Sequence, residues 1–93
     1  MKTIKFLIAD DHAIVRKGLV QILREEFPKA EITEVAGSSQ VMEEVDRQSW
    51  DVILLDISMP GRNGIETLKQ IRANGVKAPI LMLSPVLDRK SVV

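Results

Sequence analysis

The chain has 93 residues, room for one small domain. Thirteen basic and thirteen acidic residues leave a formal net charge of zero, so no broad basic field is available to hold nucleic acid or an anionic membrane. There is no cysteine, which excludes disulfides and thiolate metal sites, and every apolar run is far too short to span a bilayer.

Residues 4–9 read as a first strand that runs directly into Asp10 and Asp11. The acidic pair follows too soon for a signal peptide, and a cytoplasmic location is expected. A helix is predicted from about residue 13 to 27, since Val15, Leu19, Ile22 and Leu23 recur at i, i+4, i+7 and i+8. Pro28 ends it. Residues 31–36 form a weaker strand around Ile32 and Val35. Gly37, Ser38 and Ser39 make a turn in which a serine can cap a second helix over about 40–48, with Val41, Met42 and Val45 inward. Residues 52–56 are the clearest strand. Val52, Ile53, Leu54 and Leu55 are four consecutive aliphatics, which implies burial on both faces, and the run ends on Asp56. Pro60 and Gly61 favour a tight turn. A third helix is expected over about 65–73, with Ile65, Leu68 and Ile71 on one face and Asn74-Gly75 as its stop. Pro79 opens a fourth strand over 80–83, and Ser84 stands at its C-terminal end.

Alternating strands and helices predict an α/β fold with a parallel sheet and helices on both faces. Right-handed crossovers lead to the strand order 2-1-3-4. Strands 1 and 3 are then neighbours, and Asp10, Asp11 and Asp56 meet at the carboxyl edge, where open α/β sheets bind ligands. Three carboxylates at one edge repel one another and call for a cation. Clustered hard oxygens suit Mg²⁺. Other polar residues invite simpler readings. His12 is a lone histidine in a first helical turn and reads as solvated. Arg16 and Lys17 read as a polar helix face, Trp50 as packing before strand 3, and Asn63 as a cap of the third helix. Ser84 reads equally as a cap of whatever follows Pro85 or as a phosphoryl contact.

Ile8-Ala9-Asp10-Asp11-His12, the run from Leu54 through Asp56 and Met59-Pro60-Gly61 to Gly64, and Leu81-Met82-Leu83-Ser84 together resemble the receiver domain of bacterial two-component response regulators. Val15-Arg16-Lys17-Gly18-Leu19 is similar to the NarL/FixJ-type subgroup, whose members usually add a C-terminal helix-turn-helix. The resemblance implies a flavodoxin-like (CheY-like) fold and a signalling module, not an enzyme. It implies that Asp56 is the phosphoacceptor, receiving its phosphoryl group from a sensor histidine kinase. Asp10 and Asp11, with Asp56 and the backbone carbonyl of Ser58, hold Mg²⁺. Ser84 becomes the switch hydroxyl that hydrogen-bonds the phosphoryl group.

The chain departs from that pattern near its C-terminus. A full receiver has five strands and five helices, and no fifth strand or helix is legible here. The lysine that the family carries at the end of strand 5 has no counterpart. Lys90 follows Ser84 too soon to lie beyond a crossover helix. The expected division is a partial, truncated receiver over residues 1–84 and an atypical tail over 85–93, with phosphorylation impaired. Without the fifth strand and helix, some of Ile4, Phe6, Ile8, Ile53, Leu55, Ile80 and Met82 are expected to be bare. That predicts a homodimer or larger assembly through the exposed sheet face, the strand-4 edge and the tail. Direct nucleic-acid binding is not expected. Two other functions compete: a module for association only, and a small Mg²⁺-dependent phosphohydrolase with Asp56 as nucleophile.

Overall fold

The computed structural model describes residues 3–57 and 63–83. Strand and helix alternate through them as β1 (Lys5–Ala9), α1 (Ala13–Glu26), β2 (Glu31–Val35), α2 (Ser38–Arg47), β3 (Val52–Asp56), α3 (Gly64–Ala73) and β4 (Ile80–Leu83). The strands form one parallel sheet in the order β2-β1-β3-β4, as the alternation predicts. Leu7 pairs with Thr33 on one side and Ile53 on the other, and Asp56 pairs with Leu83. The two central strands carry near-continuous aliphatic sequence because both of their faces are covered.

Successive side chains along a strand point to opposite faces, so β1 and β3 feed two separate layers. Leu7, Ala9, Ile53 and Leu55 face α2 and α3, whose Val41 and Ile71 are fully buried against them. Phe6, Ile8 and Leu54 face the other way, under Leu19, Val20 and Leu23 of α1. Burying each large apolar side chain stabilises the fold by about 1.5–3 kcal/mol.

Among the described residues, the two faces are covered unequally. α1 has no fully buried residue. Val15 and Ile22, expected within its apolar face, are 47% and 58% exposed. Leu81, which pairs with Leu54, is 55% exposed. The sheet itself is better covered than expected. Phe6, Ile8, Ile53 and Leu55 are all buried, because α1 lies over the first two and α2 and α3 over the others. Ile4 is exposed, and Ile80 and Met82 are partly covered.

Helix ends follow local chemistry. The Gln40 carboxamide oxygen accepts from the backbone N–H groups of Ala36 and Gly37 at 2.8 and 3.1 Å. That closes the turn early, and α2 starts two residues before the expected position. Asn63 caps α3, its Oδ1 accepting from the Glu66 N–H at 2.9 Å. Gly75, at φ 86°, ends the same helix in the left-handed region that glycine adopts without cost. Trp50 packs before β3, and its Nε1–H donates to the Glu44 carbonyl at 3.0 Å.

Candidate functional site

β1 and β3 end side by side, and each hands its chain to a carboxylate. The Asp10 N–H donates to the Val35 carbonyl at 3.1 Å, and the Ile57 N–H donates to the Leu83 carbonyl at 3.0 Å. These bonds extend the sheet one residue past each strand and hold Asp10 and Asp56 at its carboxyl edge. The Asp10 and Asp56 side chains are 2% and 0% exposed, while Asp11 is 30% exposed. Carboxylates this deeply buried are rare unless charge partners or metals accompany them. One oxygen from each of Asp10, Asp11 and Asp56, with a ring nitrogen of His12, lie within 4.8 Å of one another. The structure therefore brings together the three aspartates from the two neighbouring strands. Ser58 and Ser84, the other two residues that the resemblance implicates, lie outside the described residues.

His12 is the member of this cluster that the sequence reading left in solvent. Half of its side chain is exposed, but its Nδ1 lies 2.9 Å from Asp10 Oδ1, 3.0 Å from Asp11 Oδ1 and 3.5 Å from Asp56 Oδ2. A carboxylate only accepts, so Nδ1 carries the proton that faces Asp10. The His12 backbone N–H donates to the same Asp10 oxygen at 2.8 Å. The Asp10 hydrogen bond, and then the Asp11 charge, raise the His12 pKa above its ordinary value against a smaller opposing effect of burial.

Arg16 is not merely polar surface. Its Nη1 donates to the Asp10 carbonyl at 2.5 Å and its Nε to Glu34 Oε1 at 2.9 Å. One guanidinium thus ties the end of β1 to β2 and to the first turns of α1. Gly64 is a second residue whose role the sequence did not reveal. Its N–H donates to the Ile57 carbonyl at 2.6 Å. A Cβ added there would stand 2.5 Å from the Asp56 carbonyl oxygen and 2.6 Å from the Ile57 Cα. Only glycine lets α3 start this close to the strand that carries Asp56. The signal in sequence was faint: a glycine in a turn-rich stretch, without the distance that makes it necessary.

Three carboxylates and one imidazole in this span match the donor chemistry of a divalent cation, and the carboxylate majority suits Mg²⁺. Among the described residues, no helix is long and apolar enough to cross a membrane.

The sequence matches the family model for the response regulator receiver domain over residues 6–93. It is 36% identical over 88 residues to the nitrate/nitrite response regulator protein homolog of Haemophilus influenzae, across 95% of this chain and 42% of that protein. It is 35% identical over 78 residues to the nitrate/nitrite response regulator protein NarP of Escherichia coli, across 84% of this chain and 36% of that protein. The chain spans less than half the length of either relative. Among solved structures, the RcsB response regulator of Salmonella typhimurium superposes with a TM-score of 0.79 at 28% identity, over 90% of this chain and 43% of that one. The MaeR response regulator shares the fold with a TM-score of 0.84 at 19% identity, over 97% of this chain and 74% of that one. The strand order and the paired strand ends agree with the sequence match, and the chain belongs to the response regulator receiver domain family.

Proposed function

We propose that this chain is the phosphoacceptor module of a two-component response regulator. On this reading Asp56 accepts a phosphoryl group from a sensor histidine kinase, with Mg²⁺ held beside it. The observation that carries the reading is the meeting of Asp10, Asp11 and Asp56 at one sheet edge, with Asp56 wholly buried at the end of β3. In the transfer, an Asp56 carboxylate oxygen bonds to phosphorus while the bond from phosphorus to the donor imidazole nitrogen breaks. Asp10, Asp11, Asp56 and the Ser58 carbonyl are the residues that would hold the ion, which neutralises charge on the transferred oxygens when bound. Arg16 keeps Asp10 in place through its carbonyl. The Ser84 hydroxyl is assigned to the phosphoryl group as a hydrogen-bond donor.

The acyl phosphate so formed is a reversible mark on the protein itself, so the module signals and does not turn over substrate. Transcription regulation is the output that the NarL/FixJ-type resemblance supports. The zero net charge argues against DNA binding by these residues themselves. The cytoplasm, where such kinases present their phosphohistidine, is the proposed location.

The test is intact-protein mass spectrometry after incubation with acetyl phosphate and Mg²⁺. One phosphoryl label per chain is expected. The label is expected to vanish in Asp56→Asn. A label that survives this substitution, or none after prolonged incubation, overturns the reading.

A second reading, association between copies of the chain, is favoured by exposed apolar side chains on α1 and β4. Ile14 is 87% exposed, and Val15, Ile22 and Leu81 are each about half exposed. This surface is proposed as a homodimer contact that accompanies phosphoacceptance.

A further inference from the structure

We infer that His12 is a direct nitrogen ligand of the ion held by Asp10, Asp11 and Asp56, and that it tilts the site toward Co²⁺ and Ni²⁺ relative to Mg²⁺. The inference rests on the reading of the site given above and adds a residue to it. The first argument is spacing. Two donors about 2.1 Å from one ion and at right angles to each other lie about 3.0 Å apart. His12 Nδ1 stands 2.9 Å from Asp10 Oδ1 and 3.0 Å from Asp11 Oδ1, the separation of adjacent ligands, and 3.5 Å from Asp56 Oδ2. Once Nδ1 gives up the proton that faces Asp10, the ring can share an ion with these carboxylates where it stands, the donor atoms drawing in from the 4.8 Å within which they now lie.

The second argument is that the ring is held there. His12 occupies the N-cap position of α1 with an extended backbone, yet its side chain makes no capping bond to the helix. Its N–H is tied to Asp10 Oδ1, and the Asp10 carbonyl is tied to Arg16. The imidazole is thus placed by two backbone anchors and spent on the acidic cluster. Carboxylates alone suit Mg²⁺ and Mn²⁺, whereas imidazole suits the later first-row ions. A nitrogen among three carboxylates therefore changes which ion is preferred, not merely how tightly one is bound.

The experiment has two arms, both on the 93-residue chain. Pulsed electron paramagnetic resonance of Mn²⁺-loaded protein is expected to show coupling to a ¹⁴N nucleus. Titrations of Co²⁺ by visible absorption and Mg²⁺ by amide shifts then compare wild type with His12→Ala. The half-exposed ring fills no core space, and the amide spectrum checks that the variant folds. Co²⁺ affinity is expected to fall by at least the ~10-fold that loss of even an outer-shell partner costs, with Mg²⁺ affinity little changed. Absent nitrogen coupling overturns the inference, and so does an equal loss for both ions. Tighter binding of both ions by His12→Ala overturns it too, since the ring would then be a rival for the ion's place. Mg²⁺ binding without nitrogen coupling removes His12 alone from the site. Failure of the wild type to bind any divalent ion removes the metal reading as well.

Discussion

Gly64 is the residue at which the site tolerates least change. Its missing side chain lets α3 begin against the backbone of Asp56 and Ile57, which cannot yield as a flexible side chain can. Gly64→Ala is expected to destabilise the fold by about 1–3 kcal/mol, the usual cost of overpacking. It is also expected to shift the Asp56 and Ile57 amide resonances; urea unfolding and amide spectra check both. His12 gives a second expectation. Its pKa is raised in the folded chain, chiefly by Asp10 and then by Asp11. A raised value means that folding is favoured by the protonated ring. That contribution is fully present below the unfolded value near 6.5 and is lost as pH rises through the higher folded value. The ring resonances followed against pH are expected to titrate above 6.5 in the absence of divalent ions, and lower in Asp10→Asn than in wild type. The aspartates were legible in sequence because a carboxylate ending an aliphatic run is unusual by itself. His12, Arg16 and Gly64 were not. Their roles depend on distances between chain segments that no local pattern encodes.

At the scale of elements, period and punctuation located each strand and helix of the described residues, while packing decided which part of each helix is used. α1 shows why. At about 100° per residue, Leu19, Leu23 and Val20 span one edge of its apolar stripe, and Val15 and Ile22 span the other. A single helix resting on a sheet cannot cover both edges, and the structure partly buries the first. α3 shows the same selection, for Ile71 is buried and Ile65 is half exposed, while Thr67 takes a buried place with its Oγ1–H donating to the Asn63 carbonyl. The junction of β1 with α1 depends on Arg16. Its pair with Glu34 is partly exposed and adds little. Its bond to the Asp10 carbonyl is charge-assisted, and Arg16→Ala is expected to cost about 1.5–3 kcal/mol through that bond. Faster hydrogen exchange at the Asp10, Asp11 and His12 amides would accompany the loss. Unchanged exchange there would show that the loop holds its shape without the guanidinium.

For the whole molecule, the imbalance between faces sets the expectation. Among the described residues, α2 and α3 cover one side of the sheet and α1 the other, leaving Leu81 and the open edge of α1 apolar and wet. Copies of the chain are expected to associate at micromolar concentration. Sedimentation over a dilution series checks this, and Ile22→Asp with Leu81→Asp is expected to restore a monomer. A compact monomer of the wild type at every concentration would remove the association reading and leave the phosphoacceptor reading intact.

The sheet order carries one further consequence, in time instead of space. β1 lies between β2 and β3, so its second edge stays open until residues 52–56 exist to pair with it. At a synthesis rate of about 5–20 residues per second, the wait between the first strand and that partner is on the order of 2–10 seconds. Asp10 and Asp11 spend that interval without Asp56. The acidic pocket is therefore assembled only when Asp56, the part most distant in sequence, follows the first strand out of the ribosome.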